Sequence, residues 1–266
     1  MKKIVFIVLS LMFLFGCSTK TKYEYLKEIK LEEMNPISTA VDKRGIWVSD
    51  SKNNEIVKIN ENGKVLSRYT GFKRTMHISL FNRKVFVPEY LNDSIKVIEN
   101  GKALPLDLSI KPDAPGGIDV SGKLFVIADF YNHRIIVKNK NNIFTFGKKG
   151  HNAGELFYPT DVKIVNDKIV VADAYNNRVQ IFDSKGKFLK AIGEKDKIKV
   201  ATGINADENK IIVTDSGNNR VIIYDWDGNK TAVLKKNLKY PIDAAIDEDW
   251  LYVCNYHVGS IAVYEK

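Results

Sequence analysis

Hydrophobic runs recur along this chain at a nearly fixed interval. Each ends in an acid or amide, and a second apolar run begins six positions later. The clearest copies are IADFYNHRIIV from Ile127, VADAYNNRVQI from Val171 and VTDSGNNRVII from Val213. Fainter ones are VSDSKNNEIVK from Val48, VPEYLNDSIKV from Val87 and VCNYHVGSIAV from Val253. The anchors are Asp50, Glu89, Asp129, Asp173, Asp215 and Asn255, at intervals of 39, 40, 44, 42 and 40 residues. Runs this apolar, with no polar alternation, read as strands packed between two neighbours. A period near forty made of strands and turns indicates propeller blades.

Four strands are expected in each repeat. The first begins fourteen positions before the anchor, at Pro36, Pro115, Pro159 and Pro241, with Thr75 and Ala201 in the other two copies. The fourth follows a turn at Gly63, Gly101, Asn142, Gly186 or Gly228, where a positive φ costs little. Blades therefore fall at about 36–74, 75–113, 114–157, 158–199, 200–240 and 241–266. The last blade has no fourth strand of its own. Residues 25–31 alternate in pattern before the first repeat and are expected to supply it, closing the ring. The expected fold is an all-β, six-bladed propeller over residues 25–266. Its topology puts the anchor turns and the Pro turns on one face and the Gly turns on the other.

Asn132-His133-Arg134, followed by the apolar Ile135, and the bend residues Gly147, Gly150, Gly154, Phe157 and Pro159 resemble the NHL-repeat family of β-propellers. The likeness is strongest over residues 114–228. It implies a six-bladed propeller that binds a protein, an RNA or a small molecule. A few relatives of that family are enzymes, so the resemblance does not fix a function.

The chain opens Met1-Lys2-Lys3, followed by an apolar run over residues 4–15 that is too short for a permanent membrane span. It closes with Leu14-Phe15-Gly16-Cys17, which resembles the lipobox of bacterial lipoproteins. That resemblance implies a signal peptide over 1–16, cleavage before Cys17, acylation (palmitate) of Cys17, and a tether over 17–24. The expected address is extracytoplasmic and lipid-anchored, on a bacterial cell membrane or outer membrane. The polar stretch 18–22 reaches about 18 Å at most, so the propeller would sit close to the lipid. Cys254 is the only other cysteine and lies in an apolar strand. Neither a disulfide framework nor a Cys-type zinc cluster is expected.

The net charge is +9, two units of which, Lys2 and Lys3, fall in the leader. The remaining lysines are dispersed through every repeat, the pattern of a solvated surface. With an envelope address, nucleic acid is not an expected partner. An envelope protein or an anionic small molecule or polysaccharide is.

Three sets of residues carry candidate chemistry. Arg134, Arg178 and Arg220 sit five past their anchors, and either grip an anion bidentately or pin their own turns through Asp129, Asp173 and Asp215. Where the arginine is replaced by Ser94 or Ser260, the anchor is Glu89 or Asn255. Asp50 followed by Glu55 departs from this pattern and reads as an acidic spot. Tyr90, Phe130, Tyr131, Tyr175, Tyr256 and His257 follow the anchors and are expected on the Pro-turn face, aromatic as contact surfaces are. Twelve before the anchors lie Ser38, His77, Gly117, Asp161, Gly203 and Asp243, at the mouth of the central channel. They either hold water or, through His77, Asp161 and Asp243, bind Ca²⁺ or Zn²⁺ or act as acid and base. Lactonase-type and amidating-lyase propellers, which this channel resembles, place metals there.

No nucleophile elbow, phosphate loop, HExxH or dinucleotide fingerprint occurs. The expected function is a non-enzymatic binding module without a cofactor. The alternative is a metal-dependent lyase or lactonase working in the channel.

Overall fold

The computed structural model describes residues 23–140 and 142–266. The leader, the lipobox and Cys17 lie outside the described residues. Each repeat folds into one four-stranded antiparallel sheet, and six such sheets make the propeller. The first blade is built from Pro36–Asp42, Gly45–Asp50, Glu55–Ile59 and Val65–Tyr69. Blades two to five repeat that order up to Lys230–Leu234. The sixth has Pro241–Asp247, Trp250–Asn255 and Ser260–Glu265, and takes Glu24–Lys30 as its outer strand. Glu24 pairs with Glu265 and Lys30 with Ser260, so the amino-terminal strand enters at the end opposite the anchor turns. No helix among the described residues is long and apolar enough to cross a membrane.

The apolar runs into the anchors form second strands buried on both sides, with Val48, Val87, Val126, Ile127, Val171 and Val213 fully enclosed. Their side chains fill six hydrophobic clusters, one at each junction between neighbouring blades. Ile56, Val85 and Val87 join blades one and two, and Ile29, Ile46, Val48 and Ile261 close the ring between six and one. Burying each such side chain stabilises the fold by about 1.5–3 kcal/mol, so the ring is held mainly by its blade-to-blade contacts.

The predicted first-strand starts are the residues that pair with the anchors. Pro36 faces Asp50, Pro115 Asp129, Pro159 Asp173, Ala201 Asp215 and Pro241 Asn255, while Thr75 makes an isolated bridge to Glu89. In those five blades the ladder slips immediately after this pair. Such a bulge re-aims the next side chain, and here that side chain is the channel residue.

Candidate functional site

Two constellations stand out, one across the anchor-turn face and one on the propeller axis. The face is built by the repeat itself. In every blade the anchor side chain accepts a hydrogen bond from a backbone N–H in the Pro turn: Asn35, Lys73, Asp113, Phe157, Lys199 and Lys239, at 2.7–3.0 Å. The anchor is therefore a brace between two turns that share one face. The residue four past each anchor, namely Asn54, Asp93, His133, Asn177, Asn219 and Gly259, has a φ of 49–58°. This left-handed geometry explains the preference for Asn and Gly there. Four of these side chains also reach the following blade: Asn54, Asp93, His133 and Asn219 accept the amide of Arg74, Ala114, Tyr158 and Tyr240. His133 does so through Nδ1, at 3.0 Å. Burial, with Lys149 nearby, lowers its pKa.

Each arginine turns back onto its own anchor. Nε of Arg134, Arg178 and Arg220 donates to Asp129, Asp173 and Asp215 at 2.7, 2.9 and 2.6 Å. Arg178 further donates to the Asn152 and Glu155 carbonyls, and Arg220 to those of Asp196 and Lys197. Where serine replaces arginine, Ser94 donates to Glu89 and Ser260 accepts from Asn255. The expected acidic spot at Asp50 and Glu55 is corrected. Asp50 is buried under donors from Asn35, Lys52 and Asn53, and Glu55 is buried and paired with Arg68.

Aromatic residues gather on this face, among them Phe157, which sequence reading counted only as a bend residue, and Tyr158, which it passed over. Tyr90, Phe130, Tyr131, Tyr158, Phe157 and Tyr175 form a continuous set of ring contacts at 4.7–6.4 Å, spanning blades two to four. Tyr131 and Tyr175 are exposed, and the two phenols of Tyr90 and Tyr131 hydrogen-bond at 2.7 Å. Arg74 lies over Tyr90 and Lys149 over Phe157, so cations border the patch. Tyr256 and His257 form a separate group with Tyr240.

On the axis, the bulges of blades four and six bring Asp161 and Asp243 to His77 of blade two, which is held by an isolated bridge to Gly117 of blade three. Nδ1 of His77 lies 3.7 Å from Oδ2 of Asp161 and 3.7 Å from Oδ1 of Asp243. Both contacts are too long for hydrogen bonds, and this buried nitrogen has no hydrogen-bond partner. Ser38, from the same column, donates to Asp243 at 2.6 Å. Burial pushes the Asp161 carboxyl up to about 6 against the opposing pull of His77. Burial opposes protonation of His77, but Asp161 and Asp243 outweigh it and raise its pKa. A second, partly buried pair was also missed: Lys163 meets Asp119 at 3.1 Å, and Ser79 donates to Asp119 at 2.7 Å. All three sit ten before their anchors, one column outward from the channel residues, so register was the available signal.

Residues 151–255 match a family model described as a six-bladed β-propeller. Protein lin-41 of Caenorhabditis elegans is 47% identical over 51 residues, a stretch that makes up 19% of this chain and 4% of that protein. Virginiamycin B lyase from Staphylococcus aureus superposes with a TM-score of 0.67 at 15% identity, over 92% of this chain and 100% of that one. A chain of a nidogen–laminin complex does so with a TM-score of 0.61 at 16% identity, over 76% of this chain and 80% of that one. One of these folds serves an enzyme and the other belongs to a protein complex. The chain is a six-bladed β-propeller, and its likeness to these solved structures extends to the fold alone.

Proposed function

We propose that this chain is a non-enzymatic binding module, which holds an anionic ligand or a protein partner on its anchor-turn face. The observation that carries the reading is the continuous aromatic patch of Tyr90, Phe130, Tyr131, Phe157, Tyr158 and Tyr175, bordered by Arg74 and Lys149. Rigid rings supply contact area at small entropic cost, and nearby cations draw an acidic ligand. Arg134, Arg178 and Arg220 support the face from beneath through their anchors.

Residues 1–16 act as a signal peptide and Cys17 as the lipid attachment site on the outer side of a bacterial membrane. The outer strand of the last blade starts at Glu24, opposite the anchor turns, which favours a binding face turned away from the lipid. Metabolic labelling with a palmitate analogue should mark the parent chain and not the Cys17→Ser variant. Equal labelling of both would remove the anchor.

The binding test is titration of the full chain with sulfated and with neutral oligosaccharides, and with a Tyr131→Ala/Tyr175→Ala variant. Salt-sensitive binding of the sulfated probe, lost in the variant, is expected. Binding that ignores salt, or survives in the variant, would overturn the anionic reading.

A second reading, a metal-dependent lyase or lactonase in the channel, has one observation in its favour: the convergence of His77, Asp161 and Asp243. Its test is turnover of lactone or cyclic-ester substrates that disappears in His77→Gln.

A further inference from the structure

We infer that His77, Asp161 and Asp243 form a site for one divalent transition-metal ion of the zinc class on the propeller axis. The inference goes beyond the face reading and requires no catalysis. One nitrogen and two carboxylate oxygens lie within 4.8 Å of one another. They come from alternate blades, while the blades between offer Ser38, Gly117 and Gly203 at the same position. A Cβ at Gly117 would stand 2.7 Å from Oδ1 of Asp161, and one at Gly203 2.9 Å from Oδ1 of Asp243. The intervening positions are thus kept bare where the carboxylates seat.

The carboxylates are already oriented. Oδ2 of Asp243 accepts from the Ser38 hydroxyl and the Thr39 amide at 2.6 and 3.0 Å, which leaves Oδ1 toward His77. Asp161 accepts the Val162 amide on Oδ1 and the Ile204 amide on Oδ2, at 2.8 and 2.9 Å. Outer partners of this kind fix ligand geometry in metal centres. The third donor supplies an independent observation. His77 is 3% exposed, and its Nδ1 points between the two acids with no hydrogen-bond partner. Buried polar atoms are rarely left so, and a bound cation would satisfy it. Lys163, whose charge also reaches His77, is engaged by Asp119.

The donor set chooses the ion class. Calcium takes about 6–8 oxygens, whereas imidazole with carboxylates suits zinc and its neighbours. Bonds of about 2.1 Å in tetrahedral geometry set donors about 3.4 Å apart, a few tenths of an ångström inside the 3.7 Å separations here. Three protein ligands leave a fourth position open.

The test is direct titration of the chelator-stripped full chain with Zn²⁺ alone, in competition with a chromophoric chelator. One ion per chain is expected, and Co²⁺ in its place should give a visible spectrum without a thiolate charge-transfer band. His77→Gln and Asp161→Asn should each weaken binding by more than the roughly 10–100-fold that loss of an outer partner costs. His151→Gln, on the anchor-turn face, should leave it unchanged. Asparagine keeps one acceptor and sets its NH2 against either the Val162 or the Ile204 amide. Asp161→Asn is therefore expected to melt somewhat lower, and binding is compared at a temperature where all variants are folded. His77→Gln leaves both of those amide bonds in place. Absence of a stoichiometric ion, or an ion held equally by both variants, overturns the proposal. The readout uses no substrate, so failure to find turnover would remove the catalytic reading and leave this one standing.

Discussion

Asp243 of the last blade accepts the Thr39 amide of the first at 3.0 Å, across the seam where the ring closes. The same staple recurs at Asp161 with the Ile204 amide and at Asp119 with the Ile164 amide. Inner-strand carboxylates thus tie one blade to the next, whatever else they bind. Asp243→Ala strands two buried donors, Thr39 N–H and Ser38 O–H, at a cost of about 1–3 kcal/mol each. Asp243→Asn keeps an acceptor and should lose less. Urea unfolding of the metal-free protein measures both; an alanine variant as stable as the parent would show that the Glu24–Lys30 strand and the apolar cluster between blades six and one hold the seam without it.

The three anchor arginines should rank in stability by what each one holds. Arg178 has a side chain 8% exposed and bonds Asp173, Glu194 and two carbonyls. Arg220 is 16% exposed and bonds Asp215 and two carbonyls, while Arg134, at 29%, bonds Asp129. Replacement by methionine should cost most at Arg178, less at Arg220 and least at Arg134. The largest loss should be about 2–4 kcal/mol, since it leaves a buried carboxylate short of a donor. If all three variants melt with the parent and only ligand binding falls, the arginines serve the ligand rather than the turn.

His133 gives the fold a pH dependence of known sign. Its Nδ1 must be unprotonated to accept the Tyr158 amide. Burial and Lys149 hold its pKa below the ordinary 6.5, with Asp173 opposing. The unfolded chain therefore binds the proton first. The stability that this residue contributes is present above 6.5 and is lost as pH falls through the lower folded value. His77 shifts the other way, so the clean readout is a difference. His133→Asn supplies the acceptor used at Asn54 and Asn219. Its unfolding free energy should match the parent near neutrality and exceed it in mild acid. Parallel pH profiles for the two proteins would sink this assignment.

The period of the anchors made the ring, the strand order and the closing strand legible, because apolar runs and Gly or Asn turns leave marks in side chains. Convergence of His77, Asp161 and Asp243 followed from the same register. The pairing of Asp129, Asp173 and Asp215 with their arginines was legible as one of two readings, but the anchors' hold on the Pro turn was not. Their partner there is a backbone amide, and the residues carrying it, Asn35, Lys73, Asp113, Phe157, Lys199 and Lys239, share a position before the anchor but no side-chain type that marks it. Glu55 misled for a related reason. Its counterion, Arg68, lies on the strand beyond the next turn, at a spacing no local pattern reveals. Phe157 and Tyr158 belong to the bend before Pro159, and only the closeness of the two kinds of turn brings them to the tyrosines past the anchors.

The outer strand of the last blade separates face from core within seven residues. Ile29 faces inward opposite Ile261 and packs with Leu31, Met34 and Val263, whereas Leu26 points to solvent. Ile29→Ala should cost about 2–5 kcal/mol, since the enclosed site cannot collapse around the lost methyls. Leu26→Ala should fall within about 0.5 kcal/mol of the parent. Deleting residues 24–30 tests the closure more harshly. It removes the ladder partner of Ser260–Glu265 and exposes a bare strand edge, a template for pairing with another chain. Light scattering should then show concentration-dependent association of the truncated protein while the parent's mass stays constant with concentration. A truncated chain with the parent's concentration behaviour and the parent's melting temperature would mean that five complete blades and a three-stranded sixth suffice without the closing strand.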